Sequence, residues 1–147
     1  MITSAADLLR MSPAQLDDLF RTSPAGDIPL SHGRGTVIVA PGTRLAQPGA
    51  RALGFFWRGK VFREGELQNE ILPFGLDAIA ARVHKGPSWF DGRECVVLDY
   101  SDTSRVASWI RDEIREVSPT LYLGLVWGVG RAFGGRRRLF LKFALDF

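Results

Sequence analysis

The sequence predicts a mainly β protein: a closed or nearly closed antiparallel barrel over residues 34–147, behind a helical segment at residues 1–24, in one domain. Three observations predict it. From residue 34 onward, apolar residues recur at every second position in short β-branched and aromatic runs. Turn signals such as Pro41-Gly42, Gly86-Pro87 and Asp91-Gly92 separate those runs. No alternating strand–helix pattern, internal repeat or linker is present, so a sheet closed on itself is the economical solution. A curved sheet with helices packed on one face is the competing architecture.

The elements follow in order. Ser4 is placed to cap a helix over Ala5–Met11, and Ser12 with Pro13 at the first helical position starts another over Ala14–Arg21. Leu16, Leu19 and Phe20 share one face of the second helix, which should therefore lie on the rest of the domain. The prolines and glycine of SPAGDIP end it. Thr36–Ala40 (TVIVA) is the first strand. ALGFFWRGKVF and EGELQNEILPFG follow, punctuated by Gly59, Gly65 and Gly75. Ala78–Lys85 is a further strand, and Glu94–Ser101 the clearest central one. Its Val96, Leu98 and Tyr100 face one way, and Cys95, Val97 and Asp99 the other.

Two strands close the chain. Leu121, Leu123, Leu125 and Trp127 alternate with Tyr122, Gly124 and Val126. Leu139, Leu141, Phe143, Leu145 and Phe147 alternate with Phe140, Lys142, Ala144 and Asp146. GVGRAFGGRRR between them is a glycine-rich hairpin tip, and the total comes to seven or eight strands.

The segment SWIRDEIREV, Ser108–Val117, is the hardest to place. Val106, Ile110, Ile114 and Val117 recur at helical spacing, which predicts a short helix over Ser104–Asp112 before the last strands, capped by Thr103 or Ser104, with residues 113–117 extended toward Pro119. Read as a strand, it would set Trp109, Arg111, Glu113 and Arg115 on one face and bury too many charges. A solvated or structural face is the favoured reading of these charges, since charge runs usually lie at the surface. The like-charged pairs at i,i+4, Arg111–Arg115 and Asp112–Glu116, are nonetheless poor design for a solvated helix and point to partners elsewhere in the fold.

Composition narrows the function classes. With 147 residues, 46% apolar and 24% charged, the chain suits one soluble core. A net charge of +3 with interspersed signs does not argue for a nucleic-acid partner, and Arg136, Arg137 and Arg138 lack the interleaved aromatics of such a surface. Asp7, Arg10, Asp17 and Asp18 interrupt the N-terminal region. No run reaches membrane-spanning length, so no signal peptide and no membrane insertion are expected. A lone Cys95 excludes an internal disulfide and a multi-cysteine zinc site, and suits the cytoplasm. Two histidines far apart, without a metalloprotease, nucleophile-elbow or dinucleotide motif, give no metal site.

The order of motifs is familiar. LDDLFRTSPAGDIP leads to HGRGTVIVAPGT with Gly33-Arg34-Gly35, then to FFWRGKVF with Trp57, Gly59, Lys60 and Phe62, and to ILPFG. IRDEIREVSPTLYLGLVWG, with Asp112, Leu123 and Gly124, and a terminal LFLKFALDF follow. This resembles the GXWXG-domain family of small uncharacterised bacterial proteins. The resemblance implies a lipocalin-like (calycin-type) barrel, a fold that often encloses a small apolar ligand. Nitrobindin-type haem barrels are similar in outline, but no histidine follows His84 to serve as their axial ligand, so no cofactor is expected.

Three functions are carried forward, in this order. The first is binding of a small lipophilic or aromatic molecule inside the barrel. Its motive is an excess of aromatic strand residues (Phe55, Phe56, Trp57, Trp127, Phe140 and Phe143), with Trp57, Lys60, Arg111, Arg115, Tyr122 and Trp127 as ligand-binding candidates. The second is a cofactor-independent isomerase, cyclase or hydrolase. Asp112 or Glu113 would be its base, Tyr100, Tyr122 or His84 its proton donor, and Arg111 or Arg115 an anion clamp. The third is an interaction module, a homodimer joined through the N-terminal helix or a free edge of the terminal strand.

Overall fold

Eight antiparallel strands follow one another in chain order and close on themselves: β1 His32–Ile38, β2 Trp57–Arg63, β3 Glu66–Ile71, β4 Ala80–Pro87, β5 Glu94–Asp99, β6 Ile110–Ser118, β7 Leu121–Gly128 and β8 Arg138–Asp146. The computed structural model describes residues 1–39, 42–54, 57–71, 79–105 and 107–147. Every strand pairs with its neighbours in sequence, and Arg34–Ile38 of β1 register against Asp146–Lys142 of β8. This is an up-and-down barrel, which leaves no free sheet edge. The edge expected at the terminal strand is therefore absent: β8 is bonded on both sides, to β1 and β7.

Alternation along the strands sorts the apolar residues into two cores. Val96, Leu98, Ile114, Tyr122, Val126, Phe143 and Leu145 point into the barrel. Leu121, Leu123, Leu125 and Trp127 point outward and are covered by the two N-terminal helices, α1 (Ala5–Arg10) and α2 (Pro13–Thr22), through Leu8, Leu9, Leu16 and Phe20. All eight residues of β7 are buried as a result. Both helices start where the sequence says they should. Asp7 completes a capping box with Ser4, and Gln15 does so with Ser12, whose hydroxyl accepts from the Gln15 backbone N–H. No helix among the described residues is long and apolar enough to cross a membrane.

Three expectations are corrected. Residues 110–118 form strand β6, and the helix expected over Ser104–Asp112 does not exist. Ile110 and Ile114, four residues apart, lie on one side of a strand as well as of a helix, so their spacing does not separate the two. Val106 lies outside the described residues. The second correction is α3, Ala46–Gly54, where the sequence reading had the extended segment already under way at Ala52. Pro48 falls in its first turn, where no backbone donor is needed, and Gly49 brings the helix close to β1: a Cβ there would stand 3.3 Å from Val39. The third is Leu139, which packs in the outer core while Leu141 faces inward. A bulge opposite Val126/Trp127 leaves Phe140 unpaired and moves Leu139 to the other face. Phe55, Phe56, Gly75 and Ala78 lie outside the described residues.

A second bulge, between Trp57 and Gly59 on β2, has more bearing on the interior. It turns Trp57 and Lys60, three positions apart, to the same side of the sheet. Gly35 makes room for the indole, since a Cβ there would stand 2.5 Å from the Trp57 ring. Gly59 itself has φ of +149°, and a Cβ on it would lie 2.0 Å from the Gly33 carbonyl oxygen. That neighbour is backbone and cannot swing away. Gly59→Ala should therefore destabilise by about 1–3 kcal/mol or more. Urea unfolding is the measurement, with alanine at exposed Gly65, whose φ is +71° but which has nothing within 4 Å of its Cβ position, as the control that carries the cost of positive φ without the clash.

Candidate functional site

The barrel interior contains a cavity of about 210 Å³. Among the described residues its apolar walls come chiefly from Val37, Trp57, Ile110, Val126, Leu141 and Phe143. Its polar lining is one cluster, Lys60, Asn69, Tyr100 and Asp112, brought by β2, β3, the end of β5 and β6. Register explains the meeting. Lys60 stands directly opposite Asn69, and Asp112 opposite Leu98, so that Tyr100, two residues further on the same face, comes beside it.

Lys60 is the centre of this cluster and is 3% exposed. Its Nζ donates to Asn69 Oδ1 at 2.7 Å, to Tyr100 Oη at 2.6 Å and to Asp112 Oδ2 at 2.9 Å. It also lies 5.2–5.5 Å from the ring centres of Phe143, Tyr100 and Trp57, within cation–π range. Burial pulls the ammonium below the usual lysine range, and the Asp112 charge works against that pull. Tyr100 donates to Asp112 Oδ2 at 3.0 Å. Burial, reinforced by the Asp112 charge, pushes its hydroxyl well above the usual tyrosine value, so it stays protonated. Asn69 Nδ2 donates to the Ile79 carbonyl and to Tyr100, and the Trp57 indole N–H to Asn69 Oδ1 at 3.3 Å. Of the side-chain polar atoms in this cluster, Asp112 Oδ1 alone is buried with no hydrogen-bond partner among the described residues.

Of the residues expected from sequence, Asp112, Tyr100, Trp57 and Lys60 thus come together. The others do not. Arg111, Glu113 and Arg115 occupy the opposite face of β6, outside the barrel. The strand does bury Glu113 and Arg115 and half-buries Arg111, because each has a partner. Glu113 accepts from Ser88 Oγ at 2.5 Å, the Trp89 N–H at 2.7 Å and Arg111 Nε at 3.1 Å. Arg115, fully buried, places every guanidinium nitrogen on an oxygen: a bidentate pair with Asp91 at 2.7 Å, and the carbonyls of Phe20, Arg93 and Glu94. Phe20 is in the last turn of α2, so Arg115 also meets that helix's negative end. These three residues pin the 88–93 loop and α2 to the barrel wall and are not in the cavity.

Trp127 points into the outer core, against Trp89 at 6.1 Å. Tyr122 is four residues along β7 from Val126, and its hydroxyl donates to the Asp27 carbonyl at 2.8 Å. His84 is exposed on β4, beside the Lys85 carbonyl, and no cluster of metal-ligating residues occurs among the described residues. Cys95 is buried, and its thiol is pushed up to about 12, chiefly by that burial. Asn69 is the cluster member that sequence reasoning missed. Its one signal was a polar side chain at the inward position of the β3 alternation, two residues after Leu67.

No family model and no curated protein matches the chain. A crystal structure of a protein from Thermomonospora curvata is similar in fold, with a TM-score of 0.62 at 22% identity over 92% of this chain and 87% of that one. That likeness supports the barrel and carries no function.

Two measurements bear on these ion pairs. Lys60→Met should cost about 3–5 kcal/mol by leaving Asp112 buried without its cation, and Lys60→Met/Asp112→Leu should cost clearly less than the two single changes together in urea unfolding. The second concerns acid. The Arg115 hydrogen bonds hold the Asp91 carboxyl below its ordinary value of 3.8, so the folded protein binds fewer protons there than the unfolded chain. The resulting stability is complete above that ordinary value and disappears as pH falls through the lowered folded one. Asp91→Asn should then be less stable than wild type by about 1–3 kcal/mol at pH 7. The gap should narrow toward pH 2–3 in thermal melts, which is a shift in the direction expected for ~1 carboxylate.

Proposed function

We propose that the barrel binds a small lipophilic molecule in its interior cavity, as a lipocalin-like carrier or sensor does, in a reducing compartment such as the cytoplasm, where the lone Cys95 remains a thiol. The observation that carries this reading is the cavity itself: about 210 Å³ of space walled by Trp57, Phe143 and aliphatic side chains. Well-packed interiors do not keep such space by accident of packing. The volume falls below the ~300–1,000 Å³ typical of sites for drug-sized ligands, so the molecule is small. The resemblance to GXWXG-domain proteins agrees with this reading and adds no ligand of its own.

The second reading, a cofactor-independent enzyme, draws on the contact between Tyr100 and Asp112. A carboxylate beside a protonated phenol, both buried at the cavity wall, is an acid/base pair of the kind that proton transfer uses. It ranks behind binding because the Tyr100 proton is already directed at Asp112 and not at the cavity.

Protein purified without denaturation should release a small hydrophobic compound in native mass spectrometry, or shift its Trp57 indole N–H resonance on titration with toluene. Val126→Phe, which fills the cavity, should abolish both while leaving the fold intact at a cost of about 1–3 kcal/mol. If wild type retains no compound and neither toluene nor cyclohexanol moves the Trp57 resonance, the binding function is refuted.

A further inference from the structure

Resting on the cavity as a binding site, the geometry points to the class of ligand: a neutral molecule with an apolar body and one hydroxyl donor, a small alcohol or phenol, whose hydrogen is accepted by Asp112 Oδ1. One hydrogen-bonding group of the cluster remains free, and it is an acceptor. The three Nζ hydrogens of Lys60 are directed to Asn69, Tyr100 and Asp112. Both Nδ2 hydrogens of Asn69 go to the Ile79 carbonyl and Tyr100, the Tyr100 hydroxyl hydrogen to Asp112 Oδ2, and the Trp57 indole hydrogen to Asn69. Each polar hydrogen of the cavity's polar cluster is thus engaged. A ketone, ester or carboxylate entering the cavity would meet no free donor there. The free group is an acceptor, Asp112 Oδ1, on a residue 4% exposed that lines the cavity. An unpaired buried carboxylate oxygen is costly, and a ligand hydroxyl relieves that cost.

Charge sets the other half of the class. Lys60 and Asp112 form one ion pair at 2.9 Å, so the cluster is neutral as a unit. A charged ligand would enter a low-dielectric space without a counter-ion. A cationic amine would also meet the Lys60 ammonium on the same aromatic faces of Trp57 and Phe143 that would otherwise attract it.

Cyclohexanol, cyclohexanone and methylcyclohexane have nearly the same shape and differ in this one respect, with cyclohexylamine as the charged donor. NMR titration of the wild-type protein, followed at the Trp57 indole N–H, should give cyclohexanol an affinity about tenfold to a hundredfold above the other three. In Asp112→Asn the side-chain oxygen turns to Lys60 and the amide N–H₂ to the cavity, so cyclohexanone should gain on cyclohexanol. Equal binding of alcohol, ketone and hydrocarbon by the wild type overturns the ligand class and leaves the cavity function standing. Tighter binding of cyclohexylamine overturns its neutrality. If none of the four binds, the cavity function fails and this inference with it. The wild-type series decides the question even if Asp112→Asn does not fold.

Discussion

A lysine ammonium enclosed in a barrel of this size needs its full set of acceptors within the barrel, and that requirement governs the interior. Lys60 finds them on three other strands: Asn69 on β3, Tyr100 after β5 and Asp112 on β6. A register slip of one residue in any of those strands would turn the acceptor to the opposite face and leave a buried charge alone. Apolar side chains tolerate rearrangement and would specify the pairing less sharply. The ion pair and its two neutral neighbours thus fix how β2 and β3 stand against β5 and β6. The Trp57/Gly59 bulge belongs to the same arrangement, since it brings the indole to the side on which Lys60 lies.

Strand β6 repeats the device on its other surface. Inward, Ile110, Asp112 and Ile114 face the barrel; outward, Arg111, Glu113 and Arg115 face a polar layer formed by the 88–93 loop and the end of α2. A strand with charges on both faces is ordinarily a poor core strand. Here it is central because backbone carbonyls and N–H groups of the covering segments complete the hydrogen bonding of both its arginine and its glutamate. The outer network attaches the helical layer, and the inner one shapes the cavity. The two share a backbone, so the same few residues join the covering layer to the cavity.

Much of this was legible in the sequence, and unevenly so. The strict alternation of β5 and β7 and the Ser4 and Ser12 caps identify their elements directly, because each pattern has one physical meaning. SWIRDEIREV does not. Isoleucines four apart satisfy both periods, and the argument that a strand would bury too many charges presumes that those charges lack partners. The like-charged i,i+4 spacing bears on two of these residues, whose partners lie elsewhere in the fold, Lys60 for Asp112 and Asp91 for Arg115, whereas Arg111 bonds Glu113 of the same strand. Of the candidate residues, Trp57, Lys60, Tyr100 and Asp112 converge, whereas Glu113 and Arg111 are lost to a single residue's difference in strand parity. Which polar residue sits opposite which depends on register, and register follows from bulges that no local pattern announces.

The ion pair is hard to account for by stability alone. Exchanging a buried pair for well-packed apolar residues is often neutral or favourable by ~1–4 kcal/mol, so a core of this size gains little from it as a fastening. A device meant only to fix register would also close its hydrogen bonding completely, as the Arg115 guanidinium does on the outer face with all its nitrogens engaged. The inner cluster stops one bond short, and the atom left over belongs to a cavity-lining carboxylate. On the binding function proposed above, the contrast on β6 between the Arg115 guanidinium, with every nitrogen engaged, and Asp112, open at one acceptor, leaves a place for a ligand hydroxyl that fastening alone does not need.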